Sequence, residues 1–191
     1  MEYSIIIISC YILGSIPFGL ILTRVFLKQN IRNIGSGNIG ATNVLRTGNK
    51  LIGYSTLILD IAKAVIPVIY IKLNYPDYVF ISSLSVFLGH VFPIWLKFKG
   101  GKGVATYVGI LFSINIILGL LFILSWAITF LISKYSSLSS LVGSLIVPIY
   151  LIIFENYDSM FFIIMSVLII YTHRENVKRL KNNEETKTKI Y

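Results

Sequence analysis

The chain has 191 residues, of which 55% are hydrophobic and only 13% are charged. A soluble domain carries about 25% charged residues because its surface must stay hydrated, and a disordered chain combines low hydrophobicity with high net charge. The composition excludes both classes. Together with a mean hydropathy of +0.80, it predicts one polytopic membrane domain over residues 1–191, and the net charge of +9 fits a membrane surface better than a nucleic-acid partner.

Apolar runs of about 20 residues, the length that crosses a hydrocarbon core, predict the spans. Three runs qualify as spans one to three: Tyr3–Thr23, Leu51–Ile71 and Tyr78–Leu96. The runs Val104–Ile132 and Leu138–Tyr171 are longer, and each is predicted to form a pair of short helices, the second pair interrupted by polar residues 155–158. The predicted fold is an all-α integral membrane protein with about seven transmembrane helices, with five as the alternative.

Basic residues set the predicted orientation, because cytoplasmic loops collect Lys and Arg. Apart from Lys63 and Lys72, the 17 Lys and Arg residues fall in segments 24–50 and 97–102, at Lys134 and in a basic tail over residues 173–191. An odd number of spans puts all these segments on one side. The N-terminus is therefore predicted outside and the C-terminus in the cytoplasm.

The first predicted cytoplasmic loop concentrates polar side chains in the run Ile34–Arg46. Its G-x-G-x-x-G pattern at residues 35–40 matches a dinucleotide fingerprint in spacing only, because the strand and βαβ unit that the fingerprint requires are not predicted here. Two interpretations stay open: a flexible glycine-rich connector, or a site for phosphate and hydroxyl groups. If the segment is helical from Asn38 onward, Asn38, Thr42 and Arg46 share one face at i, i+4 and i+8.

The second predicted cytoplasmic loop contains Gly100, Gly101 and Gly103 around Lys102, and opens directly into an apolar helix. Glycines let backbone N–H groups converge on an anion, and a helix N-terminus adds its positive dipole end. The spacing does not match a Walker A loop. A basic turn at the membrane edge is the alternative to an anion site.

Several ionisable residues have a structural and a functional interpretation. Asp60 and Lys63 lie three residues apart in the second span, where they could form a mutual ion pair or face a polar site. His90 could form a structural hydrogen bond or take part in catalysis. His173 and Asn176 share a helix face where the last span ends.

Six motifs in order give the chain a family resemblance. They are the G-S-I-P-F-G run from Gly14, the G-S-G-N-x-G-A-T-N-x-x-R run from Gly35, Asp60-x-x-Lys63, Gly89-His90-x-Phe92-Pro93, the K-G-G-K-G-V-A-T run from Lys99, and His173-Arg174-x-Asn176. This set resembles the bacterial acylphosphate-dependent glycerol-3-phosphate acyltransferases, the PlsY family. The resemblance covers about residues 11 to 185, and departs from the family pattern at Ala64, Asn183 and the segment Lys134–Ser140.

The resemblance implies a seven-helix enzyme of the bacterial cell membrane with its site on the cytoplasmic face. Its expected reaction moves an acyl group from acyl phosphate to the 1-hydroxyl of glycerol 3-phosphate, giving lysophosphatidate and phosphate, in the first step of phospholipid synthesis. The expected catalytic residues are Ser36, Lys102, His173 and His90. The expected substrate-binding residues are Asn38, Thr42, Asn43, Arg46, Lys63, Gly100, Gly101, Gly103, Ser137 and Asn176.

Lys102 and the Gly100–Gly103 loop are expected to hold the donor phosphate, and Arg46 the acceptor. The proton goes either to His90 or His173, or to a phosphate oxygen of the substrate. No cofactor or metal is expected, and the protein is expected to act as a monomer with membrane lipid as its surroundings and without nucleic acid. The non-enzyme alternative is a transporter for a phosphorylated solute, against which the absence of an internal sequence repeat argues.

Overall fold

A computed structural model describes residues 2–154 and 159–188 of the chain. Within these ranges the regular secondary structure is helical, which confirms the all-α class. The helices are α1 (Glu2–Gly14), α2 (Phe18–Phe26), α3 (Ala41–Val44), α4 (Lys50–Asn74), α5 (Val79–Val91), α6 (Val104–Ile114), α7 (Ile116–Ser133), α8 (Ser136–Phe154), α9 (Ser159–Thr172) and α10 (Arg174–Lys181). Short 3₁₀ turns lie at Ile31–Asn33, Leu45–Thr47, Pro76–Tyr78 and Ile94–Leu96.

The chain divides into two compact units, Met1–Ile114 and Asn115–Tyr191. In the first unit, α4 packs against α6 and α5, and α1 packs against α5. In the second unit, α8 packs against both α7 and α9.

The first predicted span is not one continuous helix. Residues 15–17 separate α1 from α2, because Pro17 has no backbone N–H to continue the helical ladder. Hydropathy misses this break because residues 15–17 do not interrupt the apolar run. The break is held in place by the Trp95 indole, whose Nε1 donates to the Ser15 hydroxyl at 2.7 Å.

Helices α1 and α5 cross at backbone contact. A Cβ on Gly14 of α1 would overlap the carbonyl of Val86, and a Cβ on Gly89 of α5 would overlap the carbonyl of Tyr11. Small residues at such crossings let helices approach closely in a membrane, where van der Waals packing drives association. These two glycines therefore fix the end of α5 beside the break in the first span.

The two predicted helix pairs are confirmed as helices. The run Val104–Ile132 contains α6 and α7, which are separated at Asn115, whose side chain accepts a hydrogen bond from the Ile117 N–H at 2.8 Å. The run Leu138–Tyr171 contains α8 and α9. The polar interruption predicted at residues 155–158 lies outside the described residues.

By length and composition, four stretches of the described chain can cross a membrane: Tyr3–Phe26, Pro76–Leu96, Ile116–Ser133 and Ser136–Phe154. A fifth results if α9 and α10, bent by 62°, count as one span. Helix α6 has 11 residues, about 16 Å at 1.5 Å per residue, which is shorter than the roughly 30 Å hydrocarbon core. The seven crossings and the orientation of the termini therefore stay predictions.

The distribution of side chains is that of a membrane protein. Large apolar side chains lie on the surface, as at Ile132, which is 81% exposed, and Leu73, which is 77% exposed. Hydroxyl and charged side chains such as Ser83, Asp60 and Lys63 are buried instead. An apolar surface of this kind is unusual for soluble proteins and is typical of a surface covered by lipid.

Candidate active site

The first loop is a folded element and not a flexible connector. Its residues Ile31, Ile39 and Val44 are buried in one apolar cluster with Leu20 of α2 and Ile52 of α4. Burial of these side chains in the first unit stabilises the loop by the hydrophobic effect. The connector interpretation of the sequence is therefore wrong.

The side chain of Asn43 organises this loop from within. Its Oδ1 accepts the N–H of Ser36 at 3.0 Å. Its Nδ2 donates to the carbonyls of Asn38 at 2.8 Å, Ile34 at 2.9 Å and Ile31 at 3.3 Å. The side chain is only 2% exposed and its amide bonds the loop backbone, so Asn43 shapes the loop that carries the other candidates, and its contact with substrate stays a prediction.

The predicted common helix face is also wrong. Only Ala41–Val44 is α-helical, and Asn38 precedes the extended N-cap residue Gly40. Asn38, Thr42 and Arg46 therefore do not follow one helical repeat. Ser36 and Thr42 are exposed, whereas Asn38 and Arg46 are half-buried.

Arg46 nevertheless lies against the backbone turn at the start of the loop. A Cβ built on Gly35 would stand 2.7 Å from Arg46 Cδ and 2.9 Å from Arg46 Nη1. Gly35 also has a φ of +53°, which L side chains rarely adopt. The glycine thus lets the Arg46 guanidinium cover the turn directly before Ser36.

The second loop uses two of its backbone N–H groups to cap α5. Gly100 N–H donates to the Val91 carbonyl at 2.9 Å, and Gly101 N–H donates to the His90 carbonyl at 3.1 Å. Both groups thus satisfy carbonyls at the helix C-terminus, and the binding of an anion by these two glycines stays a prediction.

The glycines of the second loop are required by close packing on α5. A Cβ on Gly101 would overlap the imidazole of His90, and a Cβ on Gly103, which has a φ of +84°, would overlap the Phe87 ring. Lys102 lies between these two glycines and is half-buried, directly before α6 begins at Val104. The backbone on both sides of Lys102 is therefore held in place by packing against α5.

The two loops meet within the first unit. The Arg32 guanidinium donates to the Lys99 carbonyl. Burial and, to a smaller extent, the neighbouring charge of Arg24 lower the pKa of Arg32 from its ordinary value. Arg32 has no role predicted from the sequence, because a contact across 67 residues has no local sequence signal.

Lys63 and Asp60 form a buried ion pair with an Nζ–Oδ1 distance of 2.8 Å. Lys63 Nζ also donates to the Ile16 carbonyl at 2.8 Å and lies 5.8 Å from the centroid of the Phe18 ring. The break in the first span thus supplies an acceptor for a lysine buried in α4. These contacts support the structural interpretation of Lys63 that the sequence left open.

His90 is buried beside this ion pair. Its Nδ1 lies 3.8 Å from Asp60 Oδ1, which is too long for a hydrogen bond, and among the described residues it has no hydrogen-bond partner. The side chain is 4% exposed. The predicted structural hydrogen bond of His90 is therefore not formed by its Nδ1, whereas its backbone carbonyl accepts Gly101 N–H.

In the second unit, His173 is fixed in one tautomer. Its Nδ1 lies 2.8 Å from the Ile169 carbonyl oxygen, and because a carbonyl can only accept, the proton belongs on Nδ1. In the neutral imidazole the lone pair is then on Nε2, the arrangement that a general base requires. The side chain is 2% exposed at the start of α10.

Glu185 joins two predicted binding residues of the second unit. Its Oε1 accepts the Ser137 hydroxyl and the Asn176 amide, each at 2.7 Å. Its Oε2 accepts Arg179 Nε at 2.7 Å. Burial opposes ionisation of the carboxyl group, but the bonds from Ser137, Asn176 and Arg179 outweigh it and lower the pKa of Glu185.

The C-terminal tail is therefore held against the second unit. Besides the Glu185 bonds, Thr188 N–H donates to the Lys134 carbonyl at 2.9 Å. Lys134 adopts a left-handed conformation with φ of +63° at the C-cap of α7. The sequence predicts this segment only as part of a basic tail, with no role for Glu185, because the partners of Glu185 lie up to 48 residues away.

The predicted residues thus occur in both units. The first unit holds Ser36, Asn38, Thr42, Asn43, Arg46, Lys63, His90, Gly100, Gly101, Lys102 and Gly103, and the second holds Ser137, His173 and Asn176. Among the described residues, no group of three or more His, Cys, Asp or Glu side chains is arranged to hold a metal ion.

These features define an all-helical membrane protein with two basic, glycine-containing loops that meet at the same end of its first unit. The chain belongs to the glycerol-3-phosphate acyltransferase family, whose family model matches residues 4–183. The glycerol-3-phosphate acyltransferase of Pelagibacter ubique strain HTCC1062 is 81% identical over 191 residues, covering 100% of both chains. That of Bradyrhizobium diazoefficiens is 49% identical over 179 residues, covering 93% of this chain and 90% of the relative.

Two solved structures share the fold over nearly the whole chain. Both are of PlsY (YgiH), an integral membrane glycerol 3-phosphate acyltransferase. The glycerol 3-phosphate form has a TM-score of 0.90 and 35% identity, covering 98% of this chain and 96% of that chain. The lysophosphatidic acid form has a TM-score of 0.88 and 34% identity, covering 98% and 95%. The family resemblance that the motifs indicate is confirmed.

Proposed function

We propose that the protein transfers the acyl group of an acyl phosphate to the 1-hydroxyl of glycerol 3-phosphate. The observation that carries the proposal is the pair of basic loops joined through Arg32 and Lys99 in the first unit. The acceptor and the product have their counterparts in the glycerol 3-phosphate and lysophosphatidic acid forms of the solved relative. The acyl phosphate donor is the further step that this proposal adds.

The reaction exchanges one C–O bond for another. The glycerol hydroxyl oxygen attacks the acyl carbonyl carbon, the bond from that carbon to the phosphate oxygen breaks, and phosphate leaves with the electron pair. Because phosphate is a good leaving group, positioning and stabilisation of the developing oxyanion are the main requirements on the protein.

Lys102 is assigned to the donor phosphate. The N–H groups of Gly100 and Gly101 bond α5, so the ammonium charge of Lys102, and not a cradle of glycine N–H groups, is expected to supply the attraction. Gly103 lets the backbone pass Phe87 and so positions Lys102. Ser36 is expected to contact the donor from the first loop, as a hydroxyl donor for the reacting carbonyl or phosphate.

Arg46 is assigned to the phosphate of the acceptor, and the exposed Thr42 and the half-buried Asn38 of the same loop are further proposed substrate-binding residues. A guanidinium binds phosphate through two parallel bonds, which fixes orientation as well as position. In the second unit, Asn176 and Ser137 are proposed substrate-binding residues, in an orientation set by Glu185.

His173 is the proposed acceptor of the hydroxyl proton. The bond from Nδ1 to the Ile169 carbonyl supports this assignment, because it puts the basic lone pair on Nε2. Transfer of the proton to a phosphate oxygen of the substrate is the alternative. A pH profile separates them: loss of one ionisation from kcat in His173→Gln supports His173, whereas an unchanged profile at lower rate supports the phosphate oxygen.

The remaining parts of the proposal concern the setting. The protein is proposed to cross the bacterial cell membrane seven times, with its N-terminus outside and its site on the cytoplasmic face. It is proposed to act as a monomer, without a cofactor. The one-sided distribution of Lys and Arg supports this orientation.

A transporter for a phosphorylated solute is the competing function, and one experiment separates the two. Purified protein in detergent, where no compartments exist, is given labelled glycerol 3-phosphate and palmitoyl phosphate. An enzyme converts the label to lysophosphatidate. If no product forms while the same preparation, in liposomes, takes up labelled glycerol 3-phosphate, the transporter interpretation replaces the proposal.

A further inference from the structure

The second loop packs against the last turn of α5. The backbone carbonyls of His90 and Val91 accept the N–H groups of Gly101 and Gly100. The His90 imidazole lies directly against Gly101, with Nε2 the atom that a Cβ there would overlap first. The loop therefore rests on both the backbone and the ring of one residue.

The other edge of the His90 ring faces the buried ion pair of α4. Nδ1 lies 3.8 Å from Asp60 Oδ1, and the carboxylate is held by Lys63 at 2.8 Å. His90, Asp60 and Lys63 are all at most 6% exposed. The imidazole is thus packed between the Asp60–Lys63 ion pair on one edge and Gly101 of the second loop on the other.

This position is unsuited to a base that meets two polar substrates. One ring nitrogen faces Asp60 and the other faces the backbone at Gly101. A side chain packed on both edges in a close-packed interior transmits changes of shape to its neighbours. The neighbour that matters here is the loop residue next to Gly101, which is Lys102.

We infer that His90 is a positioning residue and not a proton acceptor. Packing of its ring against Gly101 fixes the position of the Gly100–Gly103 loop, and hence the position of the Lys102 ammonium relative to the bound phosphate. The inference rests on the proposed role of Lys102 in phosphate binding. It adds a residue that acts through the loop, and it gives Gly101 a defined steric requirement.

A size-exchange experiment tests this contact. Gly101→Ala adds a methyl group that overlaps the ring, His90→Ala removes the ring, and the double variant puts the added methyl into the space left by it. Each single change is expected to raise the KM for one phosphate substrate. The double variant is expected to recover activity. Its kcat/KM, relative to the unchanged protein, should be about tenfold higher than the value obtained by multiplying the relative kcat/KM values of the two single variants, as for residues in direct contact.

Lys102→Ala identifies the affected substrate and keeps the two hypotheses distinct. It is measured with acyl phosphate and with glycerol 3-phosphate varied in turn, and the His90 and Gly101 variants are expected to raise the same KM. If Lys102→Ala raises neither KM, the proposed role of Lys102 fails. If Lys102→Ala raises one KM and the His90 variants raise the other, the inference about His90 fails while the proposed function stands.

His90→Gln separates positioning from proton transfer. Glutamine fills much of the space of the ring but does not act as a base near neutral pH. Its kcat is expected to fall by less than the about 10²- to 10⁴-fold that loss of a general base costs, with the pH profile of kcat unchanged. Disappearance of an ionisation from that profile would overturn the inference.

Folding is monitored by thermal unfolding in detergent for each variant. If Gly101→Ala does not fold, the double variant His90→Ala/Gly101→Ala is still expected to fold, because the ring that causes the overlap is gone. A double variant as inactive as His90→Ala, although folded and with a normal melting temperature, contradicts a positioning role.

Discussion

Asn43 offers the sharpest test of how the first loop is built. Asn43→Ala leaves the Ser36 N–H and the carbonyls of Asn38, Ile34 and Ile31 without the amide that now bonds them. A lost bond costs about 0.5–1.5 kcal/mol, and a buried polar group left unpaired costs about 1–3 kcal/mol. Because Nδ2 has only two hydrogens to share among three carbonyls, about three full bonds are lost, and the free energy of unfolding should fall by about 2–4 kcal/mol.

Asn43→Asp makes the test more specific because it keeps the shape. One carboxylate oxygen can still accept the Ser36 N–H, but the other oxygen replaces the Nδ2 donor that lies 2.8 Å from the Asn38 carbonyl. Two acceptors then face each other in a buried site. The aspartate variant should be destabilised at neutral pH at least as much as the alanine variant.

Thermal unfolding in detergent and steady-state kinetics with glycerol 3-phosphate are the assays. For a chain of this size, 1 kcal/mol corresponds to about 2–4 °C in Tm, so Asn43→Ala should lower Tm by roughly 4–16 °C and reduce kcat/KM. Asn33→Ala, on an exposed residue of the preceding turn, is the matched control. A lower kcat/KM of Asn43→Ala with an unchanged Tm would refute the structural role of Asn43 and would indicate that its side chain binds substrate directly.

Three further predictions concern residues that the structure places in structural roles. Lys63→Met should destabilise the protein by about 3–5 kcal/mol because it leaves the Asp60 carboxylate buried and unpaired. The double variant Lys63→Met/Asp60→Leu should recover most of the lost Tm. Failure to recover would mean that the pair has a role beyond its own charge balance. Lys72→Leu should lower Tm by about 2–4 °C, since a loss of about 1 kcal/mol is typical of one hydrogen-bonded contact and Lys72 Nζ donates to the carbonyls of Ser113 and Ile114 at the end of α6. An unchanged Tm would show that this contact contributes nothing. Glu185→Gln should weaken the acid dependence of stability. The folded-state pKa of Glu185 is lowered, so its contribution is present above the unfolded value near 4.5 and is lost as the pH falls through the lower folded value. Stability measured from neutral pH to pH 3 should therefore fall less steeply in Glu185→Gln than in Glu184→Gln, an exposed neighbour; parallel curves for the two variants would contradict the assignment.

The helices were predictable from sequence because apolar length decides them. The divisions of residues 104–132 and 138–171 into two helices each follow from runs too long for one crossing. The break at residues 15–17 was missed, because hydropathy does not register the absence of a backbone donor at Pro17. The number of crossings is not decided by length either, because α6 is short although it is strongly apolar.

The candidate site was predictable in its residue types and less so in its contacts. Asn in a glycine-rich loop fits both ligand binding and backbone bonding, and only the folded loop shows that Asn43 bonds four backbone groups. Glycines beside Lys102 fit both an anion cradle and close packing, and the structure assigns the N–H groups of Gly100 and Gly101 to α5. The roles of Arg32 and Glu185 depend on contacts between distant segments, which no local pattern encodes.

The central claim is the identity of the acyl donor, and its direct test is a donor comparison with the purified protein. Labelled glycerol 3-phosphate is offered with palmitoyl phosphate, palmitoyl-CoA or a palmitoyl thioester of acyl carrier protein, each with EDTA, and lysophosphatidate and released phosphate are both quantified. We predict product only with palmitoyl phosphate, with one phosphate released for each lysophosphatidate. Equal or greater product from a thioester would contradict the acyl phosphate reaction and the role of Lys102 in holding the donor phosphate.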